Sequence, residues 1–196
     1  MPCDGRTLYD WHVRPGALER LTPPWQSVRI AERKPGKDHP RIGNGAIARL
    51  MIGVGPAELP WIAEHFDHDP PSQFCDRQLS GPFGSWTHRH RFVDLGDGKS
   101  KLDDDIEYEA PGGAIGAVAL GGKLAGDLDR LFWFRHERTR SDLARHAEGP
   151  EPMTIAIAGS HGMIGNALAA FLATGGHRVI RLVREPAEAD PIDDIE

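Results

Sequence analysis

The feature that most constrains this chain is a glycine-spaced turn between a short apolar run and an amphipathic one. Met153-Thr154-Ile155-Ala156-Ile157-Ala158 is apolar and partly β-branched, as a buried parallel strand requires. It runs straight into Gly159-Ser160-His161-Gly162-Met163-Ile164-Gly165. Ile164, Leu168, Phe171 and Leu172 follow at helical spacing for packing on a sheet, and Gly175-Gly176 closes the helix. Arg178 to Val183 then reads as a second strand. Strand, turn, helix and strand fit within about 30 residues, the context in which such a glycine motif carries weight. Gly159 permits the tight turn, Gly162 lets the backbone approach a pyrophosphate, and Gly165 lets helix and strand pack closely. The helix N-terminus offers free N–H groups and a positive dipole end to the phosphates.

Ahead of this unit, Ala147-Glu148-Gly149-Pro150-Glu151-Pro152 is polar and helix-breaking, and it separates two segments of different periodicity. The chain therefore divides into a first domain, residues 1–147, a linker at 148–152, and a dinucleotide-binding segment at 153–196. The spacing GxxGxxG resembles the turn of extended short-chain dehydrogenase/reductases. That resemblance assigns Gly159, Ser160, His161, Gly162, Met163, Ile164 and Gly165 to cofactor binding. The strand after the helix leads into Arg184, where NAD-preferring sites place an acid, and a guanidinium there suits a 2′-phosphate. NADP is thus the cofactor expected of the complete protein, with weak binding or none by this segment alone. The resembled enzymes also use a Tyr-x-x-x-Lys pair. Here Tyr9 is followed four residues later by Val13, and Tyr108 by Gly112. Only 13 residues follow Val183, so the unit reads as truncated and no catalytic residue is assigned.

The first domain reads as α+β. Trp11 to Leu21 is helical with a break at Pro15-Gly16. Six strands are expected, at Ser27–Arg33, Ala46–Val54, Leu59–Phe66, Gln73–Leu79, Trp86–Leu95 and Lys101–Ala110, separated by Gly and Pro turn signals. A closing helix is expected from about Lys123 to Ala147, with Leu128, Leu131, Phe132, Arg135, Thr139 and Leu143 on one face. Trp11-His12-x-Arg14-Pro15-Gly16-Ala17-Leu18-Glu19-Arg20-Leu21, Gly81-Pro82-Phe83-x-x-Trp86-x-His88-x-His90-x-Phe92 and Phe134-Arg135-His136-x-x-Thr139-x-x-Asp142-Leu143 resemble the START-like (SRPBCC, helix-grip) domain. The version they resemble is fused ahead of an epimerase-family dinucleotide-binding domain. The resemblance implies an antiparallel sheet gripping the long C-terminal helix, followed by a truncated Rossmann βαβ, with a cavity for a hydrophobic small molecule.

Trp86, His88, His90 and Phe92 alternate along one strand and so share a face, as do Phe74, Asp76 and Gln78 on the strand before. With Tyr108, Phe132 and Arg135 they form the expected ligand pocket: Phe74, Asp76, Gln78, Trp86, His88, His90, Tyr108, Phe132 and Arg135. His-x-His on a strand aims both rings one way, but no third ligand has convincing spacing, and no metal is assigned. The alternatives for the two histidines are hydrogen bonding to carboxylates and ligand contact. Three functions stay open: the ligand module of an NADP(H)-linked epimerase or reductase, a stand-alone carrier, or a polyketide-cyclase-like enzyme with pocket His and Asp as acid and base. His65-x-x-His68 reads as a turn, and Asp103-Asp104-Asp105 as solvated or paired strand charges.

Charge narrows the partners. Residues 151–196 hold three arginines against seven acids, which leaves −2 of the total −6 to the first 150 residues. Neither part has the basic surplus that nucleic acid attracts. Cys3 and Cys75 lack CxxC spacing, no run approaches the roughly 18 apolar residues of a membrane span, and there is no signal-peptide core. A cytoplasmic protein is expected. A lone βαβ leaves strand faces uncovered, so residues 153–196 are expected to be loose unless they dock on the first domain or a second chain, as in a homo-oligomer.

Overall fold

The computed structural model describes residues 1–184; the last twelve positions of the expected dinucleotide-binding segment lie outside them. Two short helices open the chain, α1 (Gly5–Val13) and α2 (Ala17–Leu21). Asp4 starts α1 by accepting from the Thr7 backbone N–H at 2.7 Å, satisfying one of the helix's orphan donors. Pro15 and Gly16, the latter at φ +83°, separate the two helices.

Six strands follow: β1 (Val28–Lys34), β2 (Ile47–Val54), β3 (Ala57–Asp69), β4 (Gln73–Ser80), β5 (Ser85–Gly96) and β6 (Lys99–Glu109). They form one antiparallel meander in chain order. All six expected strands are present, because glycine and proline turns punctuate them and alternation marks their faces. Register shifts interrupt the β1–β2, β3–β4 and β5–β6 pairings, and such irregularities bend and twist a sheet. The inner face carries Phe74, Trp86, His88, Phe92 and Leu102, all buried.

The long helix α3 (Gly113–Ala147) starts ten residues before the expected one, and the sheet does not grip it. The helix that seals the sheet is α1: Leu8 and Trp11 are completely buried, and with Tyr9 they join Phe74, Phe92 and Leu102 in the main core. Among the described side chains of α3 only Thr139, Asp142 and Leu143 are buried, all near its C-terminal end. Trp133 stands 67% exposed. The apolar stripe Leu124-Leu128-Leu131 is too sparse to be embraced, and it roofs a cavity instead. The helix-grip expectation fails for that reason.

The second correction concerns the C-terminal unit. It consists of β7 (Thr154–Ala158), α4 (Met163–Thr174) and β8 (Arg178–Leu182), with β7 and β8 forming a two-stranded parallel sheet. This is a small parallel pair and not the opening of a Rossmann sheet as expected. Ile164 and Leu168, expected to pack on a sheet, are 77% and 43% exposed. The face of α4 that is buried carries Ala169, Ala170, Ala173 and Thr174.

Part of that face docks on the first region. Arg14 Nη1 donates to the Thr174 carbonyl at 3.0 Å, the His146 and Phe171 rings lie 4.5 Å apart, and Arg20 sits over Phe171 at 5.4 Å. A Cβ on Gly16 would stand 2.6 Å from the Ala170 carbonyl oxygen, so only glycine permits this approach. Docking on the first region is thus the alternative realised here.

Candidate functional site

A cavity of about 540 Å³ lies between the inner sheet face, α2 and α3. Its walls are largely apolar, from Ala48, Leu50, Ile52, Trp61, Ala63, Leu128 and Leu131, with Phe83 and Trp86 at one end. Its floor is charged. Phe74, Asp76, Trp86, His88, His90 and Arg135 of the expected pocket line it together. Phe132, Gln78 and Tyr108 do not. Phe132 meets the His88 ring edge-on at 5.2 Å, Gln78 donates to the Phe83 carbonyl at 2.8 Å, and Tyr108 packs on Phe83 and Trp86. They support the lining rather than form it.

Strand register builds the polar floor. Asp76 on β4 faces His88 on β5, and His90 faces Asp104 on β6. His88 Nδ1 lies 3.4 Å from Asp76 Oδ2 and its Nε2 3.2 Å from Asp104 Oδ1. His90 Nε2 is 3.8 Å from Asp76 Oδ2, and its Nδ1 is 2.7 Å from Asp104 Oδ1, though misaligned for a good hydrogen bond. From α3, His136 Nε2 donates to Asp104 Oδ2 at 2.6 Å. One carboxylate, 5% exposed, therefore meets three imidazoles.

Burial and charge pull in opposite directions at these groups. Burial alone lowers the pKa of His88, but hydrogen bonds to Asp104 and Asp76 outweigh it and lift the imidazole to about 9. Burial would raise Asp76, yet His88 and its neighbours hold it down at about 2. Asp104 is likewise held well below the usual carboxylate range, against its burial, by His90, His136 and His88. Burial and the nearby His88 push His90 down. His12, which lines the cavity from α1, is pushed down to about 3 by burial, and its Nδ1–H donates to the Leu8 carbonyl at 2.8 Å. Arg135 is lowered by burial, its Nε donating to the Leu21 carbonyl at 3.3 Å. The floor can donate, accept and neutralise charge inside an apolar shell, where such interactions are strongest.

Several members of this floor escaped the sequence reading. Asp104 belongs to the run Asp103-Asp104-Asp105, expected as solvated or paired strand charges. Asp103 and Asp105 do pair with Arg91, Arg89 and Lys101 at the surface, while Asp104 points inward. Inward and outward alternation along β6 was the available signal. His65 lies on β3 rather than in a turn and lines the cavity. His68 accepts from the Tyr9 hydroxyl at Nε2, 2.7 Å, and its Nδ1–H meets Asp38 at 2.7 Å.

The glycine turn is made by backbone. Gly159 has φ +70°, and the Gly162 N–H donates to the Gly159 carbonyl at 3.0 Å. A Cβ on Gly165 would lie 2.3 Å from that same carbonyl, so this glycine sets the close approach of helix to turn. Gly162 precedes the first turn of α4, which has neither a capping side chain nor an acid. Ser160 is fully buried, and His161, Met163 and Ile164 are exposed. Arg184 is exposed beyond β8. The arginine that touches the turn is Arg181, whose Nη1 donates to the Ser160 carbonyl at 2.6 Å and Nη2 to Asn166 Oδ1 at 2.9 Å.

None of the described helices is long and apolar enough to cross a membrane. No protein-family model matches the chain, and no curated protein matches it. Among solved structures, the chain is similar to a nucleoside-diphosphate sugar epimerase from Corynebacterium glutamicum. That likeness has a TM-score of 0.69 and 32% identity, and it covers 98% of this chain and 39% of the epimerase. A protein from Thermus thermophilus shares the fold at a TM-score of 0.50 and 17% identity, over 72% of this chain and 92% of its own. The chain thus spans about two-fifths of the epimerase it resembles over nearly its whole length.

Proposed function

We propose that this chain is the ligand-binding and cofactor-turn portion of an epimerase-like NADP(H)-linked protein. Residues 1–147 form the binding module, 148–152 the linker, and residues from 153 onward the start of the nucleotide-binding part. The observation that carries the reading is the cavity, about 540 Å³, within the usual range for small-molecule sites. Its aliphatic and aromatic walls suit a hydrophobic small molecule, and the Asp76–His88–His90 floor suits a polar group at one end. Similarity to a sugar-nucleotide epimerase over nearly the whole chain supports a nucleotide cofactor at the second site. The Gly159–Gly165 turn, with free N–H groups at the start of α4, suits a pyrophosphate. Arg184, exposed just past β8, suits a 2′-phosphate, hence NADP over NAD. No catalytic role is proposed for a residue of this chain, since neither tyrosine has a lysine four residues on.

Native mass spectrometry of the purified protein tests the first site. A co-purified small molecule is expected, and it should be lost in Ala63→Phe, which fills the cavity from β3. Retention of the bound molecule in that variant would place it elsewhere and sink the reading.

A further inference from the structure

We propose that Asp76, His88 and His90 form a binding site for a divalent cation of the zinc class on the cavity floor. The proposal goes beyond the small-molecule reading and stands without it. One ligand atom from each residue falls within 4.8 Å of the others, the only such trio among the described residues. His88 Nδ1 and His90 Nε2 converge on one oxygen, Asp76 Oδ2, at 3.4 and 3.8 Å. Ligands about 2.0–2.1 Å from a tetrahedral ion stand about 3.4 Å apart, so these two nitrogen–oxygen spacings lie within a few tenths of an ångström of what such an ion needs, and the third is at most 4.8 Å. Two imidazoles and one carboxylate match the donor set of zinc sites that keep an open position.

The far side of the rings adds to the argument. His88 Nε2 and His90 Nδ1 both turn to Asp104 Oδ1, at 3.2 and 2.7 Å. A metal-bound imidazole almost always gives its second nitrogen to a carboxylate, carbonyl or water, which fixes the ring's orientation. Asp104 occupies that place behind His88, accepting from its Nε2 at 3.2 Å; it stands close to His90 Nδ1 without an aligned hydrogen bond, and His136 holds its other oxygen at 2.6 Å. Asp76, by contrast, lines the cavity, so an ion held there has its remaining position toward the cavity. The nearest surface rival, Asp38 with His68, lacks this arrangement, because no third ligand atom among the described residues comes within reach of that pair.

The test uses the whole chain, stripped with chelator and titrated with Co²⁺. One equivalent should bind with the visible d–d bands of a four- or five-coordinate site, and Zn²⁺ should abolish them. His88→Ala and Asp76→Ala should each weaken binding at least about 100-fold, and Asp104→Asn about 10- to 100-fold. His39→Ala, beside the surface rival, should leave affinity unchanged. Zinc-edge X-ray absorption on the unsubstituted protein should count two imidazoles, which keeps the test sound if a variant fails to fold. Absence of the d–d bands, unchanged affinity in His88→Ala, a loss in His39→Ala, or fewer than two imidazoles would overturn the proposal.

Discussion

The two candidate sites of this molecule are built in opposite ways. The cavity floor is made of side chains from four elements, with Asp76, His88, Asp104 and His136 brought together by strand register and helix packing. The glycine turn is made of backbone from one contiguous stretch, shaped by Gly159 and Gly165. Charged, buried groups hold the first together, and the absence of side chains makes the second. The floor should therefore be costly to alter and coupled to the stability of the whole fold. The turn should be open to changes that affect binding more than folding.

The largest effect should come from Asp104→Ala. It leaves three imidazoles around a vacated carboxylate, and breaking a buried charged cluster from one side costs about 3–5 kcal/mol. Urea denaturation of variant and parent measures it. A change within 0.5 kcal/mol, roughly the scatter of surface substitutions, would show the floor to be as loosely built as the turn.

Gly16→Ala should come next. The new methyl meets the Ala170 backbone at 2.6 Å, and the residue is held at φ +83°. A loss of about 1–3 kcal/mol is expected, the usual range for overpacking. Hydrogen exchange should show it as faster opening of α4 and β7 while the β5–β6 hairpin stays protected. Uniform loss of protection would mean that the two regions unfold as one.

The pH response sharpens the contrast further. His12 titrates in the folded protein at about 3, below an unfolded value of about 6.5. The unfolded chain therefore takes up a proton that the folded one refuses, and stability from this group falls as pH drops from about 6.5 toward 3. His12→Gln should flatten that acid limb in thermal melts, whereas His161→Gln, on the exposed turn, should leave it unchanged. Equal limbs in parent and His12→Gln would show that His12 does not set it.

The smallest effect on folding should be that of Arg184→Ala, a fully surface change at the turn. Stability should move by less than about 0.5 kcal/mol. The proposed preference for NADP over NAD should fall about 10- to 150-fold, as loss of a charge-assisted hydrogen bond of about 1.5–3 kcal/mol implies. Unchanged preference in a fluorescence titration would transfer the phosphate contact to Arg181 or remove it.

Much of this architecture could be read directly from the chain. Turn glycines and prolines and side-chain alternation marked all six strands, and the same alternation put Trp86, His88 and His90 on one face. Gly159, Gly162 and Gly165 marked the turn because a backbone motif is local and its spacing survives in one dimension. What the sequence determined by itself, then, was whatever depends on neighbours a few residues apart. The tertiary structure decided the rest. Asp104 and His90 are 14 positions apart and meet only through register, and Asp76 joins them from a third strand. The long helix looked amphipathic enough to be gripped, yet α1, with the buried Leu8 and Trp11, took the sheet's core and left α3 as a roof. Ala169, Ala170 and Ala173, unremarkable as a sequence, became contacts: Ala169 and Ala173 pack with Ile157 and Val179 of the parallel pair, and Ala170 lets α4 approach α2 at Gly16. Hydrophobic burial and ion pairing act on whichever groups the fold brings near, and distance along the chain does not reveal which those are.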